Sequence, residues 1–60
     1  MKLLTVDEAA AALTLKPKTL RAWIASRRIG YVRIGERAIR IPAAEIDRLI
    51  DEGTIPPAGV

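Results

Sequence analysis

Sixty residues with a formal net charge of +3 make one small domain at most, and a chain this short buries only about 60% of the surface its unfolded form exposes. The sequence has no Cys and no His, which excludes disulfide staples and any Cys/His zinc site. The core has to be thin, built from Leu, Ile and Val around the single Trp. MKLLTVDEAA turns acidic after a short apolar run, so no signal-peptide h-region is present. No run approaches the roughly 18 apolar residues of a membrane span. A small cytosolic domain is expected.

The same inventory argues against catalysis. Ser26, Thr5, Thr14, Thr19 and Thr54 have no His to act as base, and there is no glycine-rich phosphate loop. Asp7 and Glu8 are adjacent, so on a helix their side chains diverge by about 100° and suit acid–base work poorly. They suit the positive end of a helix dipole better. Neither an enzyme nor a cofactor site is expected.

In chain order, Thr5-Val6-Asp7-Glu8 has the form of a capping box, and Val6, Ala9, Ala10 and Leu13 fall on one apolar face of the helix that follows. Thr14-Leu15-Lys16 separates it from a second helix. Pro17 suits its first position, where a missing N–H costs nothing. In this helix Leu20, Trp23, Ile24 and the stem of Arg27 share one face, with Leu15 packing just ahead of them. Lys18, Thr19, Arg21 and Ala22 lie mainly on other faces. Two short helices joined by three or four residues form a helix-turn-helix. From Ile29 to Ile41 the period shortens. Tyr31-Val32-Arg33-Ile34 and Ala38-Ile39-Arg40-Ile41 alternate around Gly35-Glu36-Arg37, which predicts a two-stranded hairpin. Arg33, Arg37 and Arg40 would project from it. A lone hairpin is marginal in water, so it must pack on the helices. Pro42 stops the second strand and can start a third helix, with Ile46, Leu49 and Ile50 on one face and Gly53 as C-cap. One domain over residues 1–53 is expected, mostly α with a small β-hairpin. Residues 54–60 form a Pro-rich tail, extended or disordered because Pro56-Pro57 cannot continue a helix.

Charge is unevenly placed. Lys16 to Arg40 holds eight of the ten basic residues and one acid, Glu36. Asp7 and Glu8 precede this block, and Glu45, Asp47, Asp51 and Glu52 follow it. A contiguous basic block makes a directed field, and nucleic acid is the polyanion that suits it.

The stretch LTVDEAAAALTLKPKTLRAWIASRRIGYVRIGERAIRIPAAEIDRLI resembles the excisionase-like helix-turn-helix domain, related to the winged DNA-binding domain of MerR-type regulators. The resemblance covers about Leu4 to Ile50. It rests on L-T-x-x-E-A-A in the first helix, T-L-R-x-W-I in the second, and V-R-I-G-x-R-x-x-R-I-P leading into the third. It implies a winged helix-turn-helix whose second helix enters the major groove of double-stranded DNA and whose hairpin is a wing. Carried over by position, the DNA-facing residues are Lys16, Lys18, Thr19, Arg21 and Ala22. Lys18 and Arg21 are the candidates for guanine edges, and Lys16 and Thr19 for phosphates. Trp23 falls on the core side. The wing tip maps onto Gly35, Glu36 and Arg37, with Arg37 reaching the minor groove or a phosphate. Arg33 and Arg40 are backbone contacts or solvated strand residues.

This chain departs from the family pattern in places. Thr14 stands in the turn where the family often has Gly, and Thr tolerates a left-handed backbone poorly, so a slightly different turn is expected. Ala22 replaces a common basic residue and leaves room for a thymine methyl. Arg27 stands where Gly is common, and Arg27-Arg28 adds charge. Glu36 would repel phosphate unless it pairs with Arg37 or a neighbouring subunit.

A chain that starts at Met1 and stops soon after the third helix is expected to carry no effector domain. A MerR regulator would continue into a long dimerisation helix. The expectation is a stand-alone factor in a bacterial host cell: a phage or mobile-element excisionase, that is, a recombination directionality factor. The resemblance implies cooperative self-association on attachment-site DNA, bending, and contact with a tyrosine or serine integrase. A small transcriptional regulator with the same fold is the alternative. A protein-interaction module such as an antitoxin, using the acidic third helix, is a further one. The acids of that helix are either a solvated face or a docking site for an integrase or a neighbouring copy.

Overall fold

Thr5 closes a two-residue strand and opens the first helix. In the computed structural model, which describes residues 2–58, the order is β1 (Leu3–Leu4), α1 (Val6–Ala12), α2 (Pro17–Ala25), β2 (Val32–Ile34), β3 (Ala38–Pro42) and α3 (Ala43–Gly53). The capping box forms as expected. The Glu8 amide donates to Thr5 Oγ1 at 3.1 Å, and the Thr5 amide donates to Glu8 Oε1 at 2.9 Å. The Thr5 amide first, and the Thr5 hydroxyl second, hold the Glu8 carboxyl below its ordinary pKa. Lys16 is the N-cap of α2 and Pro17 its first residue.

Both helices of the pair end in a Schellman closure. At the end of α1 the Thr14 amide donates to the Ala11 carbonyl and the Leu15 amide to the Ala10 carbonyl, at 3.1 and 2.8 Å. At the end of α2 the Arg27 amide donates to Ile24 and the Arg28 amide to Trp23, at 3.1 and 2.9 Å. This motif needs a left-handed residue just past the cap, and glycine fills it most cheaply. Here Thr14 and Arg27 fill it, with φ of 57° and 61°. The turn between α1 and α2 therefore keeps its left-handed residue although Thr14 is β-branched, contrary to the expectation of an altered turn. Its strain is set against two hydrogen bonds and the helix–helix packing. The second closure also ends α2 at Ala25, so Arg27 lies beyond the helix and is exposed instead of lending its stem to the apolar face. Arg28 sits 5.3 Å from the centroid of the Trp23 ring. This cation–π contact takes the place of the apolar pair that usually accompanies a Schellman motif.

The sheet has three antiparallel strands in the order β1-β3-β2, not the two of the expected hairpin. Leu3 pairs with Pro42 and Leu4 with Ile41, and the Ala43 amide donates to the Lys2 carbonyl at 2.9 Å. Two residues are too few to show alternation in a sequence. The pairing nevertheless ties the chain start to both β3 and α3. The hairpin itself has the expected register, with Val32 opposite Arg40, Arg33 opposite Ile39 and Ile34 opposite Ala38, around Gly35 at φ 70°.

The core is one cluster of Ala9, Ala10, Leu20, Ile24, Ile29, Ile41 and Ile46, with Leu4, Val6, Leu13, Trp23, Tyr31, Ile39 and Leu49 packed against it. Leu20 of α2 and Ile41 of β3 are its largest fully buried side chains. Ala9 and Ala10 are wholly buried, and their small size lets α1 approach α2 closely. The apolar face predicted for α3 is narrower than expected: Ile46 is buried, but Ile50 remains 48% exposed. The cap of α3 also differs. Gly53 is the last helical residue, and Thr54 terminates the helix, its hydroxyl donating to the Ile50 carbonyl at 2.6 Å. Residues 55–57 have no regular structure; Gly59 and Val60 of the expected tail lie outside the described residues.

Glu45 turns inward, where a solvated face was expected. It accepts from the Gly30 amide in the loop between α2 and β2 and from Arg48 Nε at 2.5 Å, with its side chain only 17% exposed. A Cβ at position 30 would run into this carboxylate. Arg48 also donates twice to Glu52 at 2.8 Å. The Arg48 contact first, and the Gly30 amide second, hold the Glu45 carboxyl below its ordinary pKa. The Glu45 contact first, and the Glu52 contact second, push the Arg48 guanidinium up.

Two predictions come from these local features. Thr14→Gly removes a left-handed strain of about 1–2 kcal/mol and gives back roughly half of it through unfolded-chain freedom. Its thermal midpoint is expected to rise by a few degrees, since about 1 kcal/mol moves a domain of this size by roughly 4–8 °C. Because the folded pKa of Glu45 is lowered, its stabilisation is complete above the unfolded carboxyl value of about 4.3 and is lost as pH falls through the folded value. Urea titrations at stepped pH should show Glu45→Gln less stable than the parent near pH 7, with the gap closing in acid. A gap that persists unchanged to low pH would mean the ionised carboxylate is not what holds the loop.

Candidate nucleic-acid interface

Core burial decides which side of α2 faces out. Leu20 and Ile24 are buried and Trp23 is half-buried. At 100° per residue this leaves Lys18, Ala22, Arg21 and Ala25 around the opposite side, and all four are exposed. Lys16 is exposed at the helix start and Thr19 is half-buried on the flank. Trp23 packs on the core cluster with Arg28 over its ring, as expected for a core-side residue.

One flank of α2 looks across a groove to the hairpin. The groove has a volume of about 730 Å³. Its walls are Thr5, Val6 and Asp7 from the start of α1, then Arg21, Ile24, Ala25 and Arg27 from α2 and its closing turn. Tyr31, Arg33, Arg37, Ile39 and Arg40 complete it from the hairpin. The volume alone would suit a small-molecule site. The lining does not, because five guanidiniums face one acid. Such a groove suits an extended anion, and neutralising it relieves the mutual repulsion of the arginines.

The single acid holds little of this charge. Arg21 Nη2 lies 3.7 Å from Asp7 Oδ1, with both side chains more than 60% exposed, so the pair is weak in water and Arg21 can leave it for a stronger acceptor. The hairpin register separates two of the arginines. Arg33 shares a face with Ile39, and Arg40 shares the other with Val32. Arg40 folds back, its Nη1 donating to the Ile39 carbonyl at 2.9 Å, and still borders the groove. Arg37 and Gly35 lie in the exposed turn. Glu36, beside them, makes no ion pair among the described residues, so the pairing with Arg37 considered from the sequence does not form.

The structure thus brings together Arg21, Arg33, Arg37 and Arg40 of the sequence-derived candidates. It leaves Lys16, Lys18, Thr19 and Ala22 on the outer face and flank of α2, outside the groove lining. Sequence reasoning missed Arg27 as a member of the arginine set. The available signal was its position just past α2, where Gly is common in the resembled family. Among the described residues no group of His, Cys, Asp or Glu could hold a metal, and no helix is long and apolar enough to cross a membrane.

Comparison with known proteins agrees with the architecture. A family model described as a helix-turn-helix domain matches residues 3–54, which spans β1 through the Thr54 cap of α3. No curated protein and no solved structure gives a significant match. The matched segment contains both helices, the turn that joins them, the hairpin and the third helix, and with that coverage the chain belongs to the helix-turn-helix domain family, for which DNA is the partner.

Proposed function

We propose that the chain binds double-stranded DNA sequence-specifically, with the exposed face of α2 in the major groove and the β2–β3 hairpin as a wing on the flanking duplex. The gathering of five arginines around one groove between α2 and the hairpin carries this reading. A helix roughly 10–12 Å across with its side chains, such as the nine-residue α2, fits a major groove roughly 12 Å wide. Lys18 and Arg21 take guanine O6 and N7, and Ala22 meets a thymine methyl. Lys16 and Thr19 anchor phosphates at the start of the helix. Arg37 at the wing tip enters the minor groove or rests on a phosphate, with Gly35 giving the tip its turn. Arg33 and Arg40 hold the sugar–phosphate backbone.

Within this reading the chain serves as a phage or mobile-element excisionase. Copies bind side by side at an attachment site, bend it and contact a tyrosine or serine integrase, which does the cutting. Bending costs on the order of 1–6 kcal/mol, which contacts between neighbouring copies offset. Such contacts are heterologous and can extend along a duplex. The ordered segments L-T-x-x-E-A-A, T-L-R-x-W-I and V-R-I-G-x-R-x-x-R-I-P support this reading through their resemblance to the excisionase-like domain.

Selection of bound duplexes from a random pool, followed by footprinting, tests the reading. Direct repeats about one helical turn apart, filled cooperatively, are expected. A palindrome filled by a dimer would point instead to a transcriptional regulator. No enrichment would point to a protein partner. On the selected site, Arg21→Ala should lose about 1–3 kcal/mol together with discrimination at one position; equal loss on every sequence would make Arg21 a phosphate contact. Arg37→Ala should weaken binding and reduce the bend measured by gel mobility, whereas an unchanged footprint and bend would remove the wing from the interface.

A further inference from the structure

Arg27 stands where backbone physics favours glycine. It occupies the left-handed position of the Schellman closure of α2, with φ at 61°, a conformation that crowds any Cβ. The two backbone bonds of the closure would form as well with glycine here, and the Arg27 side chain adds nothing inside the molecule: it is exposed and makes no ion pair or side-chain hydrogen bond among the described residues. A cation at a helix C-terminus does interact well with the dipole. Arg28, the next residue, already supplies one and is fixed over Trp23. A non-glycine residue kept at such a position, with a side chain that makes no internal contact, is the kind of strain that clusters at functional sites.

The surroundings of Arg27 indicate which ligand. Together with Tyr31 and Arg33 it lines both the large groove and a second, smaller one beyond it. These three residues form the junction between the end of α2 and the base of the wing. A duplex contacted by α2 on one side and by the hairpin on the other must pass a strand of its backbone across this junction. We propose that Arg27 is a phosphate-binding residue of the DNA interface, with Arg33 beside it on the same phosphate run, and that the left-handed backbone at Arg27 is retained to place this cation. The inference rests on the DNA-binding reading above. It adds one charge at a position where Gly is common in the resembled family.

The test uses the full chain and three variants: Arg27→Gly, Arg27→Lys and Thr14→Gly. Thermal unfolding is measured for each, as is affinity for the selected duplex and for an unrelated duplex across a salt series. Arg27→Gly is expected to unfold at a higher temperature than the parent yet bind both duplexes roughly five- to tenfold more weakly near 0.1 M salt. Its slope of log affinity against log salt should flatten by about 0.9, the signature of one lost phosphate contact. Arg27→Lys keeps the charge and should keep the slope. Thr14→Gly relieves the same kind of strain away from the groove and should gain stability with the slope unchanged. Unchanged affinity and slope in Arg27→Gly would overturn the proposal, as would a loss confined to the selected duplex. If Arg27→Gly loses stability and binding together, retention of the slope by Arg27→Lys upholds the proposal, and its loss there overturns it. Failure of the parent chain to bind either duplex in a salt-dependent way would instead overturn the DNA-binding reading itself.

Discussion

Everything the surface presents depends on one burial event. Leu20 and Ile24 of α2 and Ile41 of β3 enter the same small cluster. That shared core fixes where the second helix sits relative to the wing. With so few buried side chains, the domain has little apolar surface to spare, and each one carries a large share of the stability. The two alanines of α1 contribute by being small, because they let the first helix close over the cluster without filling it. β3 is the element on which the arrangement converges, since it pairs with β1 and β2 and lies against α1 and α3.

On this frame the charge is sorted instead of balanced. The arginines of α2, its closing turn and the hairpin face a common groove with a single exposed acid. On α3, by contrast, Arg48 is paired with Glu45 and Glu52, so the cation there is neutralised locally. A protein gains nothing in stability by crowding like charges, and exposed pairs such as Arg21 with Asp7 return little. The segregation is intelligible as preparation for a polyanion, whose approach is steered by the field and weakened by salt. Glu45 adds a mechanical element, because its bond to the Gly30 amide ties α3 to the loop that joins the second helix to the wing.

Much of this was legible in the residues because it is local. The capping box at Thr5 and Glu8, the proline opening α2 and the glycine turning the hairpin each act over three or four positions, and each appears as read. What escaped depends on sequence-distant partners or on balances between neighbours. β1 exists only because β3 offers it a ladder. Ile29, expected only as the lead-in to the hairpin, is fully in the core because the loop after α2 folds back. Glu45 looked like a solvated acid until Gly30, fifteen residues away, met it. Gly53 looked like the natural cap, but the Thr54 hydroxyl took the role. The left-handed residues are the most instructive case. Thr14 was expected to perturb its turn, and instead the turn imposed its conformation on Thr14. At the candidate interface, the pattern of basic residues was visible, but their convergence on one groove required the register of β2 on β3.

The most direct measurement is an NMR titration of the isotopically labelled chain with its selected duplex, following every amide and arginine side-chain signal. The largest changes are expected on the exposed face of α2, on Arg27 and along residues 33–40, with α3 little affected. Changes centred on Asp47, Ile50 and Asp51, with the arginine signals unmoved, would contradict this and place the functional surface on the acidic helix.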